Sequence, residues 1–346
     1  MLRPASSRVV EGDNPFDVAP ELDYFQGPRT DVALWNETWF FSSWSPVSEV
    51  GVFIHAGADA AHPELFYAQV IAYLPGGELV AERVWGRPTA GDMVLGGFSM
   101  TTEDPLRRWR LRFDGAGERT TSDQAGRRPI RAGPAVPMSF DIEVSAAGPI
   151  WDLFKASEIP HTDWAGIHHE QNTYSRGVLT VGGVSWDVAG VGFRDHSTGP
   201  RDFSRTGGDR FWGIVSPASG RGFQGIKVWN REGDLELSSA AYHVDGVFEV
   251  INGAVELTGI EDTLGNPKDL ELSFARPGGA EIVAQGRILH TVTITIADPN
   301  HNINGALLDG DPLILSESQV RFDWPDGDIF YGHLERVARL ADLRRP

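Results

Sequence analysis

Apolar and polar residues alternate with a period of two along most of this chain. At 136–146 the apolar positions are Val136, Met138, Phe140, Ile142 and Val144, the pattern of a strand with one buried face. At 37–45, Trp39 and Phe41 fall on one face together with Trp35, and Phe40 and Trp44 on the other. The same reading predicts strands at 50–56, 65–74, 79–85, 93–100, 109–113 and 118–122. Pro75-Gly76-Gly77 is a hairpin signal, and Asp114-Gly115-Ala116-Gly117 reads as a turn. Strands follow at 168–174, 177–181 and 184–193, the last two joined at Gly182-Gly183. Beyond residue 202 come 211–216, 221–230, 235–243, 248–252, 255–261, 270–275, 281–297, 306–308, 316–324 and 329–337. One short helix is expected at 151–159, between Pro149 and Pro160. Residues 1–33, broken by Pro4, Pro15, Pro20 and Pro28, read as an irregular segment, either packed over a barrel end or partly mobile.

About twenty strands without strand–helix alternation exclude a parallel α/β sheet. Open sheets rarely exceed about ten strands, so two consecutive antiparallel barrels account for the number better than one sheet. The fold class expected is all-β, with domains at 1–200 and 201–346.

Composition narrows the chemistry. The 346 residues carry 48 acidic and 30 basic side chains, a formal charge of -18, which repels nucleic acid and anionic membranes. There is no cysteine, which excludes disulfides, thiol catalysis and cysteine-ligated metals. No apolar segment reaches the ~20 residues of a membrane-spanning helix, and residues 1–20 lack the apolar run of a signal peptide. The expectation is a cytoplasmic protein without membrane insertion.

The densest chemistry lies in Gly190-Val191-Gly192-Phe193-Arg194-Asp195-His196-Ser197-Thr198-Gly199-Pro200-Arg201-Asp202. It reads as a loop at a strand end, where function is often carried, or as a charged surface loop with two Arg–Asp pairs. In an extended segment Asp195 and Ser197 share one face, and Arg194 and His196 the other. Asp195 is the first candidate for a general acid, because a carboxyl in an apolar pocket stays protonated. His196 is its alternative or orienting partner. Arg194 and Arg201 read as partners of Asp195, Asp202 or Asp187. Should Arg194 pair with Asp195, then His196 or Glu170 becomes the better acid or base. His168-His169-Glu170 with His196 could supply three metal ligands, but the spacing matches neither the His-x-His pattern of cupins nor the helical His-Glu-x-x-His of zinc proteases, and neither a metal nor another cofactor is expected. Ser197 beside His196 is a weak nucleophile candidate, since neighbours on a strand point apart.

The order of motifs resembles a bacterial group related to the tandem lipocalin-like proteins, which include carotenoid 1,2-hydratase, kievitone hydratase and the lipocalin-like pericyclases. The resemblance rests on His169-Glu170-Gln171, on the Arg194-to-Asp202 string, on Trp212, on Val320-Arg321-Phe322 with Trp324 and Asp326-Gly327, and on Gly332 and Glu335-Arg336. It covers most of 165–340. Thr198 stands where that group has Trp, which implies a different pocket shape if the position lines it. The resemblance implies two lipocalin-like barrels with a ligand site near their junction. The function expected is a cofactor-independent lyase or isomerase acting on a hydrophobic small molecule such as a terpenoid, steroid or polyketide. Its catalytic residues would be Asp195, His196 and Glu170, with Arg194, Trp212, Tyr174, His169 and Trp39 binding substrate. The alternative is a carrier of a hydrophobic ligand held by aromatic residues. A second copy of the chain is the one protein partner considered.

Overall fold

The computed structural model describes residues 6–59, 61–89, 91–130, 133–162, 164–253, 255–261, 266–276, 281–297 and 301–343. Its strands are β1 (Ser6–Glu11), β2 (Trp35–Ser45), β3 (Val50–Ala58), β4 (Phe66–Leu74), β5 (Glu78–Gly86), β6 (Met93–Leu95), β7 (Phe98–Asp104), β8 (Arg108–Thr121), β9 (Ala135–Ala146), β10 (Trp151–Asp152), β11 (Ile167–Val181) and β12 (Val184–Pro200). After residue 200 come β13 (Thr206–Val215), β14 (Gly222–Asn230), β15 (Leu235–Val244), β16 (Val247–Asn252), β17 (Val255–Glu261), β18 (Pro267–Ala275), β19 (Glu281–Ala297), β20 (His301–Asn304), β21 (Leu313–Asp323) and β22 (Ile329–Arg339).

These strands form two eleven-stranded sheets, so the all-β, tandem lipocalin-like reading holds. In the first sheet β9 pairs with both β8 and β11, which closes an eight-stranded ring β2-β3-β4-β5-β8-β9-β11-β12. Large alternate side chains fill it, among them Trp39, Phe41, Trp109, Phe113 and Phe140. The second sheet runs β1-β16-β15-β14-β13-β22-β21-β19-β18-β17, with β20 on β19. It curls around Trp212, Phe223, Phe274, Trp324 and Phe330, with ring centroids 4.2 Å apart for Phe223–Phe274 and 4.1 Å for Trp324–Phe330. Both interiors are thus occupied by side chains.

Three local expectations are corrected. The chemistry-bearing stretch is not a loop: β12 continues to Pro200, paired throughout with β2 and β11. Asp114–Gly117 is not a turn: β8 runs straight through, and Gly117 lets it cross close to β5, where an added Cβ would lie 2.8 Å from the Ala81 carbonyl oxygen. Residues 6–11 are not irregular: β1 pairs with β16 along the edge of the second sheet. The expected helix shortens to Leu153–Ser157, capped by the Asp152 carboxylate on the Phe154 and Lys155 amides. No helix among the described residues is long and apolar enough to cross a membrane.

The outer faces of the two sheets pack against each other. Phe40, Phe53 and Phe193 meet Ile294, Leu315 and Val337. Gly213 makes the approach possible, since a Cβ there would lie 1.9 Å from the Phe193 ring. Polar ties cross the seam: Tyr73 Oη donates to the Glu317 carbonyl (3.0 Å), and Gln319 Nε2 to Ser42 Oγ (2.8 Å).

Candidate functional site

A cavity of about 70 Å³, measured as the space open to the centre of a water-sized sphere, lies in this seam. Its walls are aromatic and aliphatic, with Phe40, Phe53, Phe193, Trp164 and Phe211 among them. Its floor carries four carboxyl groups, Asp195 from the first barrel and Asp209, Glu317 and Glu335 from the second.

Strand alternation decides which groups of β12 reach it. Asp195 and Ser197 point outward into the cavity. The even-numbered residues point into the first barrel. Arg194 donates from Nη1 to Asp23 Oδ1 (2.9 Å) and from Nε and Nη2 to Gln171 Oε1 (3.1 and 3.0 Å), over the face of Trp109 at 4.0 Å. His196 Nε2 lies 3.1 Å from Glu37 Oε1, and its ring stacks on Trp39 at 3.7 Å. Glu37 also accepts from the Gln26 and Gly27 amides. The segment at 23–27 therefore plugs the end of this barrel, with Asp23 balancing the buried Arg194 guanidinium.

Asp195 has no hydrogen-bond or ion-pair partner among the described residues, so the Arg194–Asp195 and Arg201–Asp195 pairs are not formed. Asp195 is half-buried and lines the cavity. Burial raises it to about 6, against the lowering influence of Arg201, His196 and Arg194. Arg201 lines the same cavity and is held by neutral groups, its Nε donating to the Trp164 carbonyl (3.2 Å) and its Nη2 to Thr38 Oγ1 (2.9 Å).

The second barrel supplies a chain of acids. Glu317 and Glu335 are cross-strand neighbours, and Glu335 hydrogen-bonds both Glu317 and Asp209. At the far end Glu317 Oε2 lies 2.9 Å from His333 Nε2. Burial pushes Glu317 up to about 8 and holds Glu335 and Asp209 well above the carboxyl range. It lowers His333 to about 3. Each carboxyl–carboxyl contact needs a shared proton. Three protonated acids donating in one direction, Asp209 to Glu335 to Glu317 to neutral His333, satisfy every contact.

Glu170 is fully buried beside the cavity, its Oε1 2.8 Å from His168 Nε2, and His168 Nδ1 is 2.6 Å from Ser197 Oγ. His168 and Glu170 thus engage each other while His196 lies on the opposite face, so the three-ligand metal set is not assembled. Of the expected site residues, Asp195 alone lines the cavity, with Glu170 behind it. His196, Arg194 and Trp39 belong to the first barrel's interior, and Trp212 to the second's. His169 sits 3.8 Å from Asp152. Tyr174 is half-buried near the turn at Gly220. Thr198 lies on the inward-facing side of β12 and does not line the cavity, so a Trp at that position would not reshape it. Asp209, Glu317, His333 and Arg201 were not singled out as site residues. Glu335 carried only the resemblance, and no local motif marks any of the second-barrel acids.

Two lipocalin-like barrels with a cavity in the seam between them define the fold. The chain belongs to the family described as Domain of unknown function (DUF7064), which matches residues 19–334. Its fold is that of a protein from Nitrosomonas europaea provisionally named AttH, at 13% identity and a TM-score of 0.62, covering 90% of this chain and 94% of that one. Kievitone hydratase from Nectria haematococca has the same fold at 12% identity and a TM-score of 0.53, covering 95% and 97%. So does CghA, at 12% and 0.53, covering 96% and 98%. None of the curated proteins matches.

Proposed function

We propose that the protein is a cofactor-independent acid–base catalyst of lyase or isomerase type. Its substrate is a small molecule whose reacting end, carried on an apolar body such as a terpenoid, steroid or polyketide, enters the seam cavity. The observation that carries this reading is Asp195, a carboxyl without a hydrogen-bond partner among the described residues, in an aromatic-walled cavity that it shares with a protonated acid chain. With its carboxyl raised only to about 6, Asp195 is largely ionised at neutral pH and serves as the base, while Glu317 and Glu335 remain protonated and serve as the acid. Carboxyls whose environments set them apart in this way are what proton transfer between two carbons, or loss and addition of water, requires. The aromatic faces stabilise positive charge developing on the substrate. The kinship of fold with a hydratase and with CghA is in keeping with this class of reaction.

The test is incubation with pooled terpenoids, steroids and aromatic polyketides, followed by native mass spectrometry and extraction of the small molecules. A compound recovered with the mass of one water gained or lost, or at equal mass with altered retention, supports the catalyst when the Asp195→Asn variant fails to make that change. A compound bound and returned unaltered favours the carrier.

A further inference from the structure

Ser197 and Arg201 are polar groups of the cavity that this acid–base reading does not use. Ser197 lies in a row across three strands, opposite Thr38 on β2 and His168 on β11. Burial keeps the Glu170 carboxyl protonated and His168 neutral. The Glu170 hydroxyl then donates to His168 Nε2, which leaves the ring proton on Nδ1. Nδ1–H donates to Ser197 Oγ across 2.6 Å, and the serine's own proton is free to point into the cavity. Arg201 is pinned beside it by its bond to Thr38, the residue facing Ser197. Its Nη1 has no partner among the described residues, and the guanidinium makes no ion pair there.

We propose that Ser197 Oγ–H and Arg201 Nη1–H form a binding site for a carbonyl oxygen, and that the substrate is an enolisable carbonyl compound. The proposal rests on the acid–base reading of the same cavity. Asp195 stands two residues back on the same face, about 7 Å along the strand, within reach of a carbon next to a carbonyl held at Ser197. Asp195 breaks the C–H bond and forms its own O–H, and the electron pair moves to the oxygen as an enolate. Two donors of the same cavity, one of them cationic, stabilise that oxygen. For a β,γ-unsaturated ketone, the Glu335–Glu317 chain then gives a proton to the γ-carbon. The carbonyl re-forms with the double bond moved, and the proton on Asp195 restores the acid chain. No atom is gained or lost.

The test uses 4-nitrophenol, whose colour reports its charge and whose phenolate mimics an enolate, against nitrobenzene as the neutral isostere. Wild-type protein at neutral pH is expected to bind the phenolate about tenfold more tightly or better. Ser197→Ala should reduce that preference roughly threefold to tenfold, Arg201→Gln should abolish it, and Asp195→Asn should tighten phenolate binding by removing a like charge. Circular dichroism checks each fold. If Arg201→Gln does not fold, the wild-type preference and Ser197→Ala carry the test. Equal binding of the two probes, or a preference untouched by Ser197→Ala, overturns the proposal. So does a covalent fluorophosphonate adduct on Ser197, which would make the serine a nucleophile. Phenolate preference through Ser197 and Arg201 without turnover of any carbonyl compound would uphold this site and remove the catalyst reading. Turnover without the preference would do the reverse.

Discussion

The two faces of β12 carry similar residues in opposite states. On the inward face, Arg194 and His196 are buried against Asp23, Gln171 and Glu37. On the outward face, one residue away, Asp195 has no partner and Ser197 shares its hydroxyl with His168. Buried charge is tolerated when it is paired and hydrogen-bonded. The inward set meets that condition and holds a barrel together. The outward set leaves Asp195 outside it, and an unpaired carboxyl at a cavity is free to exchange a proton. The lesson is that the ionisable cluster of one strand divides into a structural half and a chemical half by side-chain parity.

The sharpest way to break this comparison is on the inward face. Arg194→Met strands Asp23 in the first barrel and is expected to destabilise the protein by about 3–5 kcal/mol, read by urea unfolding. A loss below about 1 kcal/mol would mean that the inward network is not structural. On the outward face, Asp195→Asn is expected to lower kcat/KM on whatever substrate the screen finds by about 100-fold or more, with Tm equal to or above wild type. A fall in Tm as large as that of Arg194→Met would erase the distinction.

That parity was legible in sequence, because period-two alternation puts Arg194 and His196 together and Asp195 and Ser197 together. Which face would be the inside was not. The partners that decide it, Asp23 and Glu37, lie more than 150 residues away in sequence, and the acids facing Asp195 come from the other barrel. Two barrels could be read from strand number, whereas β1 could not be assigned, since Arg8-Val9-Val10 carries no signal naming β16 as its neighbour.

A smaller effect sharpens the same contrast through pH. Glu317 titrates near 8 when folded, against about 4.3 for a free Glu. Between these values the folded protein holds a proton that the unfolded chain has lost, so stability falls as pH rises. The buried histidines His55, His168 and His333, lowered to about 3, act in the opposite sense, and their contribution is complete above about 6.5. Glu335, Asp209 and Glu170, held protonated by burial in the same way, act in the same sense as Glu317, so wild-type stability should drop by at least about 2 kcal/mol between pH 6.5 and 8, and Glu317→Gln should make that slope shallower in thermal melts. An unchanged slope would mean that Glu317 is not a protonated member of the chain. The smallest effect is expected of Tyr174→Phe, within about 0.5 kcal/mol and without loss of turnover. A loss of activity there would extend the site to the turn at Gly220.

The pairing of β1 with β16 sets the order in which the molecule can be finished. During synthesis β1 must wait for a partner some 240 residues later, which at ordinary rates takes roughly ten to fifty seconds. Over that interval the first barrel can close, because all its strands precede residue 201, while the segment ahead of it stays unengaged. The β16 edge of the second sheet is thus covered by a strand that precedes the whole first barrel in sequence. A split of the gene after residue 200 would deliver a second half whose β16 edge is bare, open to pairing with any strand that meets it first.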